Sequence, residues 1–273
     1  MSISQAKASD EILMRFGMEN SKAVSTPCDT QVILGVDGKD TDTTKYRSMI
    51  GSLFHLVNCT RPDLSYAVSY ASRYQVNPKS TEVTAVKRIL QYLNKTKSEG
   101  LVYKKSGNDK FIIEVFVDAS YAPQGEKSTS GWVIYVNGNL VSWKSLKQSI
   151  TAKSSAESEY VALSQAISDA LFIRAILIEL NLDVETPIEV YEDNQAAIQI
   201  ANNPVYKSKI KQVNVHYHFI RDYVKMGVIN ITHIQSKDQV ADAFTKPLNG
   251  PLFQIFKEKL NLGVSISEGS VEA

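Results

Sequence analysis

The run from Phe111 to Val117 constrains this chain more than any other segment, because it is apolar on both alternating faces apart from Glu114 and stops at Asp118. Strand side chains point alternately to opposite faces, so a strand that is apolar on both must be covered on both. The run therefore predicts the central strand of a layered α/β sheet, with a carboxylate at its end. Lys105 to Asp109, a Lys-Ser-Gly-Asn-Asp stretch with turn chemistry, precedes it and marks the start of a domain.

The segments that follow supply the rest of such a sheet. Trp132 to Val136 and Leu140 to Trp143 read as strands joined through Asn137-Gly138-Asn139, which is hairpin chemistry. A long helix is expected from Ser155 to about Leu180, with Tyr160, Leu163, Ile167 and Leu171 at helical spacing and Ser154 or Ser155 as its cap. Ile188 to Tyr191 reads as a further strand, followed by Glu192-Asp193-Asn194 and a helix through Ala197 and Ile200. Val215 to Met226 reads as a helix closed by Gly227, and Val228 to Ile234 as the last strand. A final helix is expected over residues 238–247, broken by Pro247, with a disordered tail over 263–273. Three antiparallel strands extended by parallel ones through helical crossovers give a mixed five-stranded sheet with helices on both faces.

The first hundred residues have a different texture. Tyr46, Met49, Ile50, Leu53, Phe54 and Val57 fall on one helical face. Leu64, Ala67, Val68 and Ala71 form a second face after Pro62, and Ala85, Val86, Ile89, Leu90 and Leu93 a third. Residues 26–44 read as an irregular connector. The expected organisation is a mainly helical segment over 1–104 and an α/β domain over 110–250.

Composition restricts the partners. Thirty basic residues against 29 acidic ones leave a net charge of +1 at pH 7, so any nucleic-acid surface must come from local clustering. Cys28 and Cys59 have neither zinc spacing nor a disulfide-dense pattern, which suits a reducing intracellular compartment, cytoplasmic or nuclear. The opening residues, with Asp10, Glu11 and Arg15, lack a secretory pattern. No stretch reads as the roughly 20 apolar residues of a membrane span, so no membrane partner is expected.

Asp118 ends the first strand, Asp193 follows the fourth, Glu159 sits in the first turn of the long helix and Asp242 in the last helix. If the two strands pair side by side, their ends meet. Carboxylates forced together raise one another's pKa, so the arrangement is stable mainly when cations neutralise it. Magnesium is the natural choice, a hard ion that takes oxygen ligands and is completed by phosphate, and a pair of such ions can clamp an in-line phosphoryl displacement. Manganese is the alternative. Carboxylates alone are a weak signal among 29 acidic residues, and helix capping or solvation accounts equally well for Asp10, Glu179 or Asp222.

Several longer motifs carry a resemblance. Tyr46 to Leu53 (Tyr-Arg-Ser-Met-Ile-Gly-Ser-Leu), Thr60-Arg61-Pro62-Asp63, Lys87 to Leu93 (Lys-Arg-Ile-Leu-Gln-Tyr-Leu) and Gly100-Leu101-Val102-Tyr103 resemble the end of a copia-type reverse transcriptase. Ser130-Gly131-Trp132, Val141 to Ser145, Lys147-Gln148, Ser154 to Tyr160, Asp193-Asn194 and Ala241 to Leu248 are similar to the ribonuclease H of the same transposon polyproteins. The resemblance implies an end of reverse transcriptase followed by a ribonuclease H domain that cuts the RNA strand of an RNA/DNA hybrid with two magnesium ions. The family's four acids carry over onto Asp118, Glu159, Asp193 and Asp242. Glu157 rivals Glu159, which lies three residues before Ala162 and so matches a Glu-x-x-Ala spacing.

The departures from the family bear on activity. A His-Ile-Asp run of the family is Gln212 to Asn214 here, and a family His is replaced by Glu82. The Tyr-x-Asp-Asp turn of the polymerase does not occur in this sequence, so no polymerase activity is expected of it. The competing reading is a transposon-derived fragment that binds nucleic acid and turns over poorly. Candidate contacts to the hybrid are Lys144, Lys147, Lys153, Asn194, Lys207, Lys209, Lys211 and His216; phosphate contacts of this kind set register and give salt-dependent affinity. For the lysines, the bland alternative is a solvated sheet edge. The sequence leaves the oligomeric state open.

Overall fold

A computed structural model describes residues 1–36, 38–123, 126–202 and 219–264. The chain divides into two compact units, Met1–Lys104 with Pro247–Ala273, and Lys105–Lys246.

The first unit starts with strand β1 (Ser2–Ser4) and helix α1 (Ala6–Phe16), ended by Gly17 in the left-handed conformation that a residue without Cβ adopts at little cost. Helices α2 (Thr43–Val57), α3 (Ser65–Ser72) and α4 (Ser80–Thr96) follow, and strand β2 (Gly100–Val102) pairs with β1. The expected faces are the buried ones, with two local differences: Leu56 is fully buried where Phe54 is only partly so, and Ala85 is half-buried. Glu82, which departs from the family pattern, is 1% exposed and accepts hydrogen bonds from the backbone N–H groups of Gly35 and Lys79, both at 2.8 Å. It closes the start of α4.

Within this unit Arg61 is buried with its guanidinium paired. Its Nε and Nη2 fork onto Asp63 at 2.9 and 2.7 Å, Nη1 donates to the Thr96 carbonyl at 3.0 Å, and Tyr92 donates to Asp63 at 2.7 Å. The bidentate geometry satisfies charges that would be costly to bury alone.

The second unit is the mixed sheet. Strands β3 (Ile113–Ser120), β4 (Thr129–Val136) and β5 (Asn139–Lys147) are antiparallel neighbours. Asn137 and Gly138, both at positive φ, make the tight turn between the last two. Helix α5 (Ser155–Glu179) leads to β6 (Ile188–Glu192), then α6 (Gln195–Asn202), a helix α7 whose described part is 219–225, and β7 (Ile229–His233). β6 runs parallel to β3 and β7 parallel to β6, so the strand order is β5-β4-β3-β6-β7, the expected ribonuclease H-like α/β sheet.

Alternation along β3 sorts its two faces. Ile113, Val115, Val117 and Ala119 are buried in one cluster with Tyr160, Leu163 and Ile167 of α5. On the other face, Gly131 of β4 lies opposite Asp118, and a Cβ there would come within 2.7 Å of Phe244 Cβ and Thr245 Cγ2. Only glycine lets the segment after β7 close on the sheet at this point.

Two expectations need correction. The helix over 238–247 is instead two 3-10 turns, Ser236–Asp238 and Val240–Phe244. The chain then returns to the first unit in helix α8 (Gly250–Lys259), capped by Asn249 with Pro251 in its first turn, and strand β8 (Leu262–Gly263) on β2. Finally, α5 is long and apolar enough to cross a membrane by length and composition, although no such stretch was expected. Its first half covers the sheet and carries buried Glu157 and Glu159, which is how a core helix meets the same criterion.

Candidate active site

β3 and β6 are parallel neighbours, so their C-terminal ends lie together, and Asp118 and Asp193 with them. Gln239 holds those ends in place: its Nε2 donates to the Val117 carbonyl at 2.8 Å and reaches the Tyr191 carbonyl at 3.4 Å, while its Oε1 accepts from the N–H of Ala241. Gln148 does the same for the start of α5, donating to Ser130 Oγ at 3.0 Å and the Ser158 carbonyl at 2.8 Å. Sequence reasoning missed both glutamines as anchors.

The result is a cluster in which one carboxylate oxygen each of Asp118, Glu159 and Asp193 lies within 4.8 Å of the others. Glu157 stands apart from this set. Its carboxylate accepts the N–H of Lys153 at 2.8 Å, and its own N–H donates to Oγ of the N-cap Ser154 at 3.2 Å, so both groups are engaged at the start of α5. The geometry thus places Glu159, not its rival, with the aspartates. Asp242 is near enough for its charge to raise the pKa of Asp118, but its carboxylate is engaged by Lys246 Nζ at 2.8 Å.

Electrostatics agree with the geometry. Burial, then the charge of Asp242, push the Asp118 carboxyl up to about 6, against a hydrogen bond from Thr245 Oγ1 that favours its ionised form. Burial, then repulsion from Glu192, Asp118 and Asp193, hold Glu159 far above the usual carboxylate range. Among the described residues its Oε2 has no hydrogen-bond partner. Glu192 is fully buried, accepts the N–H of Asn194 at 3.0 Å with Oε1, and leaves Oε2 without a partner among the described residues; its carboxyl is also raised, first by burial. Asp193 is held by Ser236 Oγ at 2.6 Å.

Crowded, buried carboxylate oxygens without donors are what a hard, oxygen-preferring divalent cation satisfies. The donor set is all oxygen and fits magnesium or manganese.

The candidate nucleic-acid residues are not gathered in the same way. Lys144 and Lys147 lie on the edge strand β5, two strands and roughly 10 Å from β3. Lys147 faces Glu126 at 3.7 Å, and Lys153 is exposed. Asn194 Oδ1 accepts the N–H groups of Ala196 and Ala197 and so caps α6. Lys207, Lys209, Lys211 and His216 lie outside the described residues.

The chain is similar to several known proteins. It is 36% identical over 264 residues to the retrovirus-related Pol polyprotein from transposon RE2 of Arabidopsis thaliana, a match over 95% of this chain and 18% of that polyprotein. It therefore spans about a fifth of the length of that relative. It is also 40% identical over 130 residues, 47% of this chain and 90% of the other, to secreted RxLR effector protein 161 of Plasmopara viticola. Among solved structures, the N-terminal RNase H domain of a Mycobacterium tuberculosis protein aligns with 55% of this chain and 98% of its own, at 12% identity and a TM-score of 0.39. No protein-family profile matches the chain.

Proposed function

Because the chain belongs to the retrovirus-related Pol polyproteins of copia-type transposons, we propose that its Lys105–Lys246 unit is a ribonuclease H that cuts the RNA strand of RNA/DNA hybrids. The observation that carries this reading is the convergence of Asp118, Glu159 and Asp193 at the ends of β3, α5 and β6. Met1–Lys104, in this reading, is the end of the reverse transcriptase.

Asp118, Glu159 and Asp193 would hold magnesium, with Asp242 at the margin of the cluster. With two ions held there, one would lower the pKa of a water to make the nucleophile and the other would neutralise the charge that develops on the leaving oxygen. Thr245 fixes the Asp118 carboxylate and Ser236 that of Asp193, so both are oriented before substrate arrives. The unpartnered Oε2 of Glu159 is the atom left free to accept a ligand. No protein nucleophile is needed, since a metal-bound water can attack.

Recognition would rest on shape. A hybrid presents 2′-hydroxyls on one strand in a wide minor groove, and contacts to both strands select it over DNA or RNA duplexes. Lys144, Lys147 and Lys153 are the described candidates for phosphate contacts. Asp193→Asn tests the reading: magnesium-dependent cleavage of a labelled hybrid should be lost, and unchanged cleavage would overturn the assignment.

A further inference from the structure

Lys246 belongs to none of the roles above, yet it is the cation seated against the acid cluster. Its Nζ lies 2.8 Å from Asp242 Oδ1, with the lysine side chain 49% exposed and the aspartate 20% exposed. The backbone fixes this pairing, because the N–H groups of Thr245 and Lys246 both donate to the Asp242 carbonyl at 3.1 Å. Thr245 in turn hydrogen-bonds Asp118. Lys246 is therefore anchored one turn beyond Asp242, and its four-carbon stem reaches back from the solvent side.

We propose that Lys246 is the resident counter-ion of Asp242, displaced when a second divalent cation binds there, and that the freed ammonium then contacts a phosphate of the hybrid. The inference rests on the ribonuclease H reading. Asp118, Glu159 and Asp193 form a set with one another, whereas Asp242 has its charge already balanced by Lys246. An ammonium and a divalent cation cannot both sit on one carboxylate without repelling each other, so they compete for it. The exposed stem lets the ammonium leave at little cost, and it remains at the rim where an anionic backbone would pass.

The test compares wild type with K246Q and K246R. Magnesium titration of the free protein by calorimetry reads competition directly. K246Q should tighten the weaker binding step by about two- to five-fold, the range that removing a partly exposed ion pair allows. K246R should bind as wild type does. The KM for hybrid at saturating magnesium should rise in K246Q and recover in K246R. Magnesium affinity that is unchanged or weaker in K246Q overturns the displacement, and an unchanged KM overturns the phosphate contact. A wild-type protein that binds no magnesium would instead overturn the reading on which the inference stands, so the two failures are distinct. Tryptophan fluorescence of each variant verifies that it is folded.

Discussion

Asp118→Asn should stabilise the protein when metal is absent and destabilise it relative to wild type when metal is present. Asp118 is 6% exposed, and its carboxyl is raised from 3.8 to about 6 by burial and then by Asp242. At about 1.4 kcal/mol per pH unit, a rise of roughly two units corresponds to about 3 kcal/mol, and sharing the repulsion with neighbouring carboxylates brings the expected gain to about 1–3 kcal/mol. An acid whose pKa is raised on folding binds its proton more tightly in the folded state. Its ionisation therefore opposes folding fully above pH 6, less as pH falls through 6 towards 3.8, and not at all below. Asparagine carries no charge and keeps an acceptor for Thr245, so the variant should be more stable at pH 7 and show a flatter stability profile between pH 4 and 6. Magnesium should stabilise wild type in proportion to its saturation and leave the variant nearly unchanged. Both tryptophans, Trp132 and Trp143, lie in the Lys105–Lys246 unit, so urea melts followed by their fluorescence report on this unit. An asparagine variant less stable than wild type at pH 7 in EDTA would refute the reasoning.

Other perturbations separate structural from metal-binding groups. Glu157→Ala should cost about 1 kcal/mol of stability by removing the carboxylate that accepts the Lys153 N–H at the start of α5 and leave cleavage intact, whereas Glu159→Gln should lower magnesium-dependent cleavage by at least about 100-fold; comparable activity in the two would contradict the assignment. Gly131→Ala should destabilise the sheet by about 1–3 kcal/mol and reduce cleavage, because its Cβ would push on Phe244 and Thr245; unchanged melts would count against the close approach. Asp63→Asn should cost about 3–5 kcal/mol in the helical unit by leaving Arg61 buried without its carboxylate, read by far-ultraviolet circular dichroism.

What was legible in the sequence follows from how local each signal is. The central strand declared itself because both its faces are apolar, and the hairpin because Asn137-Gly138 suits positive φ at two successive positions. The pairing of strand ends that brings Asp118 to Asp193 is non-local, and motif resemblance supplied it. Glu157 and Glu159 share one helix turn, so only the packed structure separates the residue that caps from the residue that faces the aspartates. Glu192 was overlooked because the strand was read as stopping at Tyr191; Ile188, Val190 and Glu192 share one alternating face, and that parity could have marked the glutamate as buried. Lys246, four residues after Asp242, was likewise visible as an i,i+4 pair. The three-residue strands β1 and β2 are too short to leave a periodic pattern.

The most direct measurement is cleavage by the purified chain of one labelled RNA sequence, presented in parallel as RNA/DNA hybrid and as RNA duplex with magnesium, beside Asp118→Asn. The account expects cleavage of the hybrid alone, abolished by EDTA and by the substitution. Folded protein that leaves the hybrid intact, or cuts both substrates equally with or without Asp118, would contradict it.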